Sequence, residues 1–515
     1  MPNIVYLMPD EWRFDALGAR GNPAIRTPNL DKLAARGTLF EAAHCESPVC
    51  QPSRASVLTG RYVSDHRLRD NELSPRACGA VFPGAENDTF LRRLQELGYY
   101  TAAVGKLNFT FPEYELARRL RAAQINELSA EGFAALIGQG DLRDTADEVR
   151  AYGLNEVHEE ADKQSLLLFN SGYTDYLERA GLLDEWRKRV LTDSGPYLHA
   201  LLVGADAPMY ATDGPPAVPE NLASADTLDS FIGTTACEFV RDYEGDQPFF
   251  LWVNFVGPHP PFDAPERHPA DRAERPVRRG PAGPPHLPPN AWGDYVRWTR
   301  QRTGCSAYTD ADWDQIVRQY YAGCELIDDQ IGRIVAGLEE AGVLDETWIL
   351  FGSDHGELLG DHGLIQKRVF YDGSVLVPSL ITPPTGGAGS NVTCLVQNFD
   401  LAASAVDIAG GGPVFGDARS LLPLLSGVVA ARAVVFSEIA DFVMVRDHRY
   451  KLIVQRWSGE PQALYDLAVD PEEMVDVLGQ AESASIVRRM TADYVAGYLS
   501  RFADEQSTST IVGER

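Results

Sequence analysis

Apolar runs and amphipathic segments alternate along most of the chain. The runs at 3–8, 99–104, 248–256 and 347–351 are short and rich in β-branched and aromatic residues, which predicts buried strands. Between them, apolar residues recur at helical spacing, as at Leu91, Leu94 and Leu97, and again along a long helix predicted from about 314 to 342. Strands that alternate with helices in this way predict an α/β fold, with a mostly parallel sheet between layers of helices.

Two segments interrupt this alternation. Residues 113–230 are charged and mainly helical in pattern, and the Pro- and Arg-rich residues 264–292 predict a long surface loop. From about residue 430 the apolar runs become shorter, which predicts a small antiparallel α+β subdomain. We therefore divide the chain into an α/β domain at 1–429, with insertions at 113–230 and 264–314, and a C-terminal subdomain with a polar tail at 430–515.

The charge balance excludes two classes of partner. With 46 Lys and Arg against 74 Asp and Glu, the chain carries a net charge of −28, so nucleic acids and anionic membranes would be repelled. No transmembrane run and no signal peptide is recognisable, which predicts a cytoplasmic protein. The seven cysteines are scattered without metal-type spacing, as expected of reduced thiols. A site that acts on anions would have to concentrate its own positive charge.

Charged or imidazole side chains follow four of the predicted strands. Asp10 follows the first of these strands, Lys106 the second, His259 the third, and the pair Asp354 and His355 the fourth. In an open parallel sheet, functional groups collect beyond the carboxyl ends of the strands. We therefore expect these side chains to lie together in one site.

The most specific motif is S-P-V-C-Q-P-S-R-A-S-V-L-T-G-R at residues 47–61. It places Cys50 just before a helix-compatible run, at a helix N-terminus whose partial positive charge favours an anion. The motif resembles the signature of type I sulfatases and of the related phosphonate monoester hydrolases, both in the alkaline phosphatase superfamily. The resemblance covers residues 1–110, about 235–265 and 315–385, and a weaker C-terminal pattern. It implies an alkaline-phosphatase-like core and the oxidation of Cys50 to formylglycine, whose hydrated aldehyde is the nucleophile.

The resemblance also implies a metal site. Asp10, Asp354 and His355 match the positions that bind a divalent cation together with the modified Cys50, and this ligand set suits Ca²⁺ or Mn²⁺. Many sulfatases have a second Asp where this chain has Glu11 and an Asn where it has His355. The Asp-His variant is more typical of the phosphonate hydrolase and choline sulfatase branches. Glu11 is therefore left out of the predicted ligands.

Further positions match residues that handle the substrate. Lys106 and Lys367 resemble the family's two lysines that grip the anion, and Arg54 resembles the arginine that steadies the aldehyde hydrate. His259 is the candidate for leaving-group contact or general acid, because imidazole titrates near neutral pH. Asn71 resembles an anion-binding asparagine of the phosphonate hydrolase and choline sulfatase relatives.

Asn108 departs from the pattern of many sulfatases, which have histidine two residues after the lysine. An asparagine at this substrate-binding position can form hydrogen bonds but cannot act as a base at neutral pH. Either another group, such as His259, removes the proton, or the second half-reaction is organised differently. The phosphonate hydrolases also lack this histidine, which weakens a pure arylsulfatase assignment.

These motifs are compatible with three functions. The first is hydrolysis of aryl or small alkyl sulfate esters through a sulfated formylglycine-hydrate intermediate. The second is hydrolysis of phosphonate monoesters or phosphodiesters at the same site. The third is a non-catalytic sulfatase-like protein in which Cys50 stays unmodified. The expected partners are a small anionic ester, a formylglycine-generating enzyme during maturation, and further copies of the chain in a homo-oligomer, with the polar tail at 505–515 as a candidate packing segment.

Overall fold

The structure, a computed structural model, describes residues 1–71, 88–109, 116, 120, 129–203, 222–265, 277, 280–281, 287–427 and 432–502. Its strands, in chain order, are β1 (Asn3–Leu7), β2 (Thr38–His44), β3 (Tyr100–Lys106), β4 (Gly140–Asp141), β5 (Glu156–Glu160), β6 (Phe169–Asn170), β7 (Phe249–Asn254), β8 (Thr347–Gly352), β9 (Leu376–Val377), β10 (Ser379–Thr382), β11 (Ser390–Gln397), β12 (Val414–Phe415), β13 (Ala418–Arg419), β14 (Val435–Ile439), β15 (Phe442–Arg446), β16 (Tyr450–Gln455) and β17 (Pro461–Asp466).

A nine-stranded, mostly parallel sheet forms the centre of the protein. Its order is β11-β2-β10-β8-β1-β7-β3-β5, and β9 pairs with β2. The five strands from β8 to β5 run parallel, whereas β10 is antiparallel to both of its neighbours. The predicted α/β class and the predicted parallel sheet are confirmed.

Helices cover both faces of this sheet. The helices of the described residues, in chain order, are α1 (Pro28–Ala34), α2 (Cys50–Thr59), α3 (Val63–His66), α4 (Phe90–Glu96), α5 (Ala130–Ala134), α6 (Ala146–Arg150), α7 (Lys163–Leu168), α8 (Gly172–Ala180), α9 (Leu183–Val203), α10 (Leu228–Asp242), α11 (Ala291–Thr303), α12 (Asp310–Glu340), α13 (Asp372–Val375), α14 (Asp400–Ile408), α15 (Leu422–Leu425), α16 (Ser483–Met490) and α17 (Ala496–Leu499). The long helix α12 begins four residues before its predicted start, because Thr309 and Asp312 form a capping box there.

The core is divided between the two faces of the sheet. In β1, Ile4 and Tyr6 belong to one apolar cluster, whereas Val5 and Leu7 belong to the other. Successive side chains of a strand point to opposite faces, so a strand that is apolar at every position is buried on both. The continuous apolar run at 3–8 therefore corresponds to a central strand.

The segment 113–230 contributes more than helices. Its strand β5 extends the central sheet beyond β3, in parallel register from Ala102 opposite Glu156 to Lys106 opposite Glu160. This strand is charged and has no apolar alternation, so the sequence pattern gave no signal for it. The insertion therefore brings its own residues to the carboxyl edge of the sheet.

The C-terminal part forms a separate antiparallel sheet of four strands, β14-β15-β16-β17. The buried Lys451 of this sheet donates to Phe370 O at 2.7 Å and pairs with Asp372 at 2.6 Å, and so ties the sheet to the segment after Lys367. The predicted domain boundary at 429/430 and the tail at 505–515 lie outside the described residues, as does most of the Pro- and Arg-rich loop. Within the described residues, no helix is long and apolar enough to span a membrane.

Candidate active site

Four neighbouring strands of the central sheet bring the predicted site residues to one edge. Asp10 lies three residues beyond β1, Lys106 ends β3, His259 lies beyond β7, and Asp354 lies two residues beyond β8. These strands are adjacent in the order β8-β1-β7-β3, so the loops at their carboxyl ends meet. The contacts described below show that these side chains lie close together.

Cys50 is the first residue of helix α2 and is 1% exposed. Its Sγ lies 3.0 Å from Lys367 Nζ, 3.2 Å from His355 Nε2, 3.7 Å from Asp10 Oδ1 and 4.0 Å from Lys106 Nζ. The helix N-terminus adds partial positive charge at the same point. Residue 50 is thus surrounded by groups from four separate parts of the chain.

The same sulfur belongs to a set of metal-type ligands. One ligand atom from each of Asp10, Cys50, Asp354 and His355 lies within 4.8 Å of the others, and all four residues are buried. His355 Nδ1 donates to Gly356 O at 3.0 Å, so in the neutral ring Nε2 is left to act as a ligand. Burial lowers the pKa of His355 and favours that neutral form.

The spacing of these atoms fits a divalent cation. His355 Nε2 lies 3.6 Å from Asp10 Oδ1 and 3.8 Å from Asp354 Oδ2. Ligands at about 2.0–2.6 Å from one ion lie roughly 3–4 Å from each other. Two carboxylates with an imidazole, at these separations and without access to water, form a suitable set for Ca²⁺ or Mn²⁺.

Arg54 stands one helical turn after Cys50 and is completely buried. Its Nε donates to Asp354 Oδ2 at 2.9 Å, one Nη donates to Lys106 O and to Asn254 Oδ1, and the other Nη lies 3.8 Å from Asp10 Oδ2. The guanidinium therefore connects the carboxyl ends of four strands, β1, β3, β7 and β8. It positions two of the candidate metal ligands relative to Cys50.

Lys106 is fully buried and pairs with two carboxylates. Its Nζ contacts Asp10 Oδ2 and lies 2.5 Å from Asp162 Oδ1. Burial would raise the pKa of Asp10, but the positive charges of Lys106 and Lys367 hold it well below its usual range. Asp10 is therefore an anion at neutral pH, as a metal ligand must be.

Asp162 was not predicted from the sequence. It follows β5 and directly precedes helix α7, so it reaches the site through the strand that also escaped prediction. Burial opposes its ionisation, yet Lys106 and His259 together lower its pKa. The available signal was an acidic residue two positions after the acidic pair at 159–160, and charge alone did not distinguish this pattern from a solvated surface.

His259 lies between two carboxylates. Its Nδ1 donates to Pro260 O at 2.7 Å and lies 3.8 Å from Asp162 Oδ1, while Nε2 lies 3.5 Å from Glu11 Oε2. Burial and the charge of Lys367 oppose protonation of the ring, but Asp162 and Asp10 outweigh them and raise the pKa of His259. A raised pKa extends the pH range over which the ring is protonated, and a protonated imidazole can deliver its proton to a leaving group.

Glu11 occupies a position between the cationic groups. Its Oε2 accepts from Lys367 Nζ at 2.9 Å, and Glu11 also forms a second possible set of metal ligands with Asp10 and His259. Burial works against the charge of Lys367, but the negative groups around it, Cys50 and Glu11 foremost, raise its pKa well above the usual value. Leaving Glu11 out of the predicted metal ligands stays a prediction, and the contact seen here is an ion pair with Lys367.

The two predicted asparagines lie at the edge of this group. Asn71 Oδ1 accepts from the backbone N of Gln51 at 3.1 Å, at the second residue of the helix that Cys50 begins. Asn108 is 6% exposed, with φ of 57°, and its buried Nδ2 has no hydrogen-bond partner among the described residues. An unpaired buried donor is costly, so the Asn108 amide is suited to a ligand oxygen. The substrate-binding role of both residues stays a prediction.

Comparison with known proteins agrees with this geometry. The sulfatase family model matches residues 2–411, and the model for the C-terminal part of N-sulphoglucosamine sulphohydrolase matches residues 360–496. An arylsulfatase of Clostridium perfringens is 27% identical over 93% of this chain and 91% of that protein. The multifunctional alkaline phosphatase superfamily protein PehA of Trinickia caryophylli is 28% identical over 97% and 94%.

Solved structures show the same fold. The phosphonate monoester hydrolase of Agrobacterium radiobacter superposes with a TM-score of 0.69 at 24% identity, over 98% of this chain and 96% of that one. The family model spans the central sheet, the helix that begins at Cys50 and every candidate metal ligand. The chain belongs to the sulfatase family, within the alkaline phosphatase superfamily.

Proposed function

We propose that the protein hydrolyses sulfate esters of aryl or small alkyl alcohols at residue 50, after Cys50 has been oxidised to formylglycine by a formylglycine-generating enzyme. The observation that carries the proposal is the setting of the Cys50 side chain. It lies at a helix N-terminus and belongs to a set of metal-type ligands, and its sulfur is 3.0 Å from Lys367 Nζ and 4.0 Å from Lys106 Nζ. A structural cysteine would need neither the ligands nor the cations.

The charge count of the site supports an anionic ester. The three cations Arg54, Lys106 and Lys367 face the four carboxylates of Asp10, Glu11, Asp162 and Asp354. These side chains together carry one excess negative charge when His259 is neutral and none when it is protonated. A divalent cation would make the site positive in either state, and so would favour binding of a sulfate monoester, which carries one negative charge.

Formylglycine supplies, as its hydrate, one hydroxyl that attacks sulfur and displaces the alcohol, and a second that expels sulfate and regenerates the aldehyde. A bound divalent cation supplies charge neutralisation for the nucleophile and for the sulfate oxygens. Arg54, held by Asp354 and Asn254, fixes the geometry at residue 50. Lys106 and Lys367 are placed to bind the ester oxygens. Both side chains are held in position because they are buried and form ion pairs, Lys106 with Asp162 and Lys367 with Glu11.

The leaving alcohol requires a proton, and His259 is the residue placed to give it. Its ring stands at the rim of the site, beside Asp162 and Glu11. Because its pKa is raised, the ring is protonated over a wider pH range than an exposed histidine. Asn108 cannot act as a base. In the second half-reaction His259, neutral after it has protonated the alcohol, would therefore take the proton from the remaining hydroxyl of the hydrate as sulfate is expelled.

A second candidate function is hydrolysis of phosphonate monoesters. These esters also carry one negative charge, so the same charge count applies to them. The pair Asp354 and His355 and the asparagine at 108 favour this branch, and the fold is shared with a phosphonate monoester hydrolase. The two functions differ in whether sulfur or phosphorus is the central atom of the transferred group. The same cationic site can bind either group.

One preparation tests both functions. The protein is made together with a formylglycine-generating enzyme, loaded with Ca²⁺ or Mn²⁺, and the peptide containing residue 50 is weighed by mass spectrometry. Values of kcat/KM are then compared for 4-nitrophenyl sulfate and 4-nitrophenyl phenylphosphonate, with Cys50→Ala as the background control. A higher value for the sulfate supports the proposal, and a large excess for the phosphonate selects the second function. Both functions are contradicted if Cys50→Ala keeps both activities, or if fully modified protein turns over neither substrate.

A further inference from the structure

Lys367 lies between two residues whose backbone is left-handed. Gln366 has a φ of 66° and Arg368 a φ of 77°, a region that residues other than glycine rarely adopt. Such residues persist only where the surrounding structure holds them, and they cluster at functional sites. The contacts that hold the backbone at 366 and 368 therefore decide where the Lys367 ammonium lies, 3.0 Å from Cys50 Sγ.

The two sides of Lys367 are held by different parts of the chain. On the N-terminal side, Gln366 N donates to Glu357 Oε1 at 2.6 Å. On the C-terminal side, Arg368 N donates to Pro48 O at 3.2 Å, two residues before Cys50. The second contact joins the segment that carries Lys367 directly to the segment that carries the nucleophile position.

The Arg368 side chain forms a bidentate ion pair with Asp70. Its Nη1 donates to Oδ2 at 2.8 Å, and its Nη2 donates to Oδ1 at 2.5 Å. Two parallel hydrogen bonds fix the orientation of both groups, which a single contact between charges does not do. Most surface ion pairs contribute little, but this one has bidentate geometry and a guanidinium side chain that is only 12% exposed. The pair is therefore suited to hold a segment in place.

Asp70 is connected to the start of helix α2 through its neighbour. Asn71 N donates to Asp70 Oδ1 at 2.7 Å, and Asn71 Oδ1 accepts from Gln51 N at 3.1 Å. Gln51 follows Cys50 directly in the chain. Arg368 is thereby linked to the residue after Cys50 as well as to the segment before it.

We propose that Asp70 and Arg368 are positioning residues, and that their ion pair sets the distance between the Lys367 ammonium and the side chain at residue 50. The pair acts through Lys367 and does not have to touch the ester. Misplacing a catalytic group by about 1 Å can cost roughly 100-fold in rate, so the pair matters for activity more than for stability. The inference rests on the proposed function, since it concerns how the lysine that binds the ester oxygens is held.

Two conservative variants test the geometry of the pair. In Asp70→Asn the side chain keeps its shape, but its NH₂ group faces a guanidinium N–H, so that two donors oppose each other. In Arg368→Lys the charge is kept, but an ammonium cannot form two parallel hydrogen bonds with a carboxylate. We expect each variant to lower kcat/KM for 4-nitrophenyl sulfate about 10- to 100-fold, measured on protein that carries formylglycine and metal.

Asp466→Asn is the matched control. Asp466 belongs to the C-terminal sheet and accepts from Arg449 in the same bidentate way, from Nε at 2.9 Å and from Nη2 at 2.7 Å. This variant should keep kcat/KM within about twofold of the wild type, because the value of one surface ion pair is small. Thermal unfolding of every variant, at the metal concentration of the assay, shows whether the protein is folded.

A Lys367→Ala background tests whether the pair acts through Lys367. There, Asp70→Asn should change kcat/KM less than about twofold, because the group that the pair positions has been removed. A general loosening of the site would lower kcat/KM by the same factor with and without Lys367. Turnover by Cys50→Ala provides the background that the Lys367→Ala activity must exceed.

The outcomes separate the positioning role from the proposed function. If the wild type hydrolyses 4-nitrophenyl sulfate, the positioning role alone is overturned by wild-type kcat/KM in Asp70→Asn or in Arg368→Lys. It is also overturned if Asp70→Asn costs the same factor in the Lys367→Ala background, or if Asp466→Asn loses as much activity as Asp70→Asn. If the wild type, carrying formylglycine and metal, hydrolyses no sulfate or phosphonate ester, the proposed function is overturned and the positioning role with it.

Discussion

Replacing Asp354 by asparagine should remove the metal and destabilise the protein, for reasons visible in its hydrogen bonds. Asp354 Oδ1 accepts from the backbone N of Glu11 at 3.0 Å and of His355 at 2.9 Å, and Oδ2 accepts from Arg54 Nε at 2.9 Å. All three partners are donors. An asparagine has only one acceptor atom, so its NH₂ must face either the guanidinium or the two backbone N–H groups.

The size of the effect follows from this mismatch. A hydrogen bond between charged groups contributes about 1.5–3 kcal/mol, and here at least one is replaced by an opposed pair of donors. Arg54 also loses a counter-charge in a fully buried position. We expect Asp354→Asn to lower the free energy of unfolding by about 2–4 kcal/mol without metal. A further loss of about 2.7 kcal/mol is expected where the wild type is held at 100 times its metal Kd.

Denaturant unfolding at several Ca²⁺ and Mn²⁺ concentrations, with metal content measured by elemental analysis, checks this expectation. Asp328→Asn is the matched control. Asp328 is equally buried and accepts from Leu30 N, Asn29 N and Asn29 Nδ2, at 2.8–3.1 Å, away from Cys50. It should lose stability but keep the metal. Full metal occupancy and a wild-type response to metal in Asp354→Asn would refute the ligand role of Asp354.

Three further predictions concern the nucleophile, the proton donor and a buried acid. Cys50→Ala should abolish turnover of 4-nitrophenyl sulfate. Its free energy of unfolding should stay within about 1 kcal/mol of the wild type, because only one sulfur atom is removed. Wild-type activity in this variant would contradict the mechanism. Asp162→Asn removes a charge that raises the pKa of His259, so the alkaline limb of the kcat/KM profile should move to lower pH. Asp175→Asn, at a half-buried carboxylate paired with Arg143, should leave the limb in place. An unmoved limb in Asp162→Asn would show that Asp162 does not act through His259. Burial raises the pKa of Glu46 to about 8 from an ordinary 4.5, so between these values the unfolded chain ionises and the folded chain does not, and stability falls as pH rises. Glu46→Gln should flatten this decline in denaturant titrations from pH 5 to 8, and an identical slope would exclude Glu46 as its source.

The sequence predicted those parts of the site that depend on local order along the chain. Asp10 and Asp354 follow continuous apolar runs, and the rule that functional groups lie beyond strand ends placed them together before any contact was known. Cys50 and Arg54 lie four residues apart in a helix-compatible motif, so they had to share one helix face. Each of these inferences needed only residues close together in the chain and the repeat period of a strand or a helix.

Contacts between segments far apart in the sequence could not be predicted in the same way. Asp162 lies 56 residues from Lys106 and follows an acidic strand without apolar alternation, so nothing local marked it as buried. The ion pair of Glu11 with Lys367 joins positions 356 residues apart. Which carboxylate stands beside which cation depends on how the strands are ordered in the sheet.

The sequence by itself therefore determined the fold class, because the strand and helix periods are encoded within a few residues. The motif around Cys50, through its family resemblance, also predicted the nucleophile and the metal ligands. Only the tertiary structure decided the charge balance around Cys50 and the partners that raise the pKa of His259. Those properties arise from burial and from distances of a few ångströms between elements, and a linear sequence fixes neither until the chain has packed.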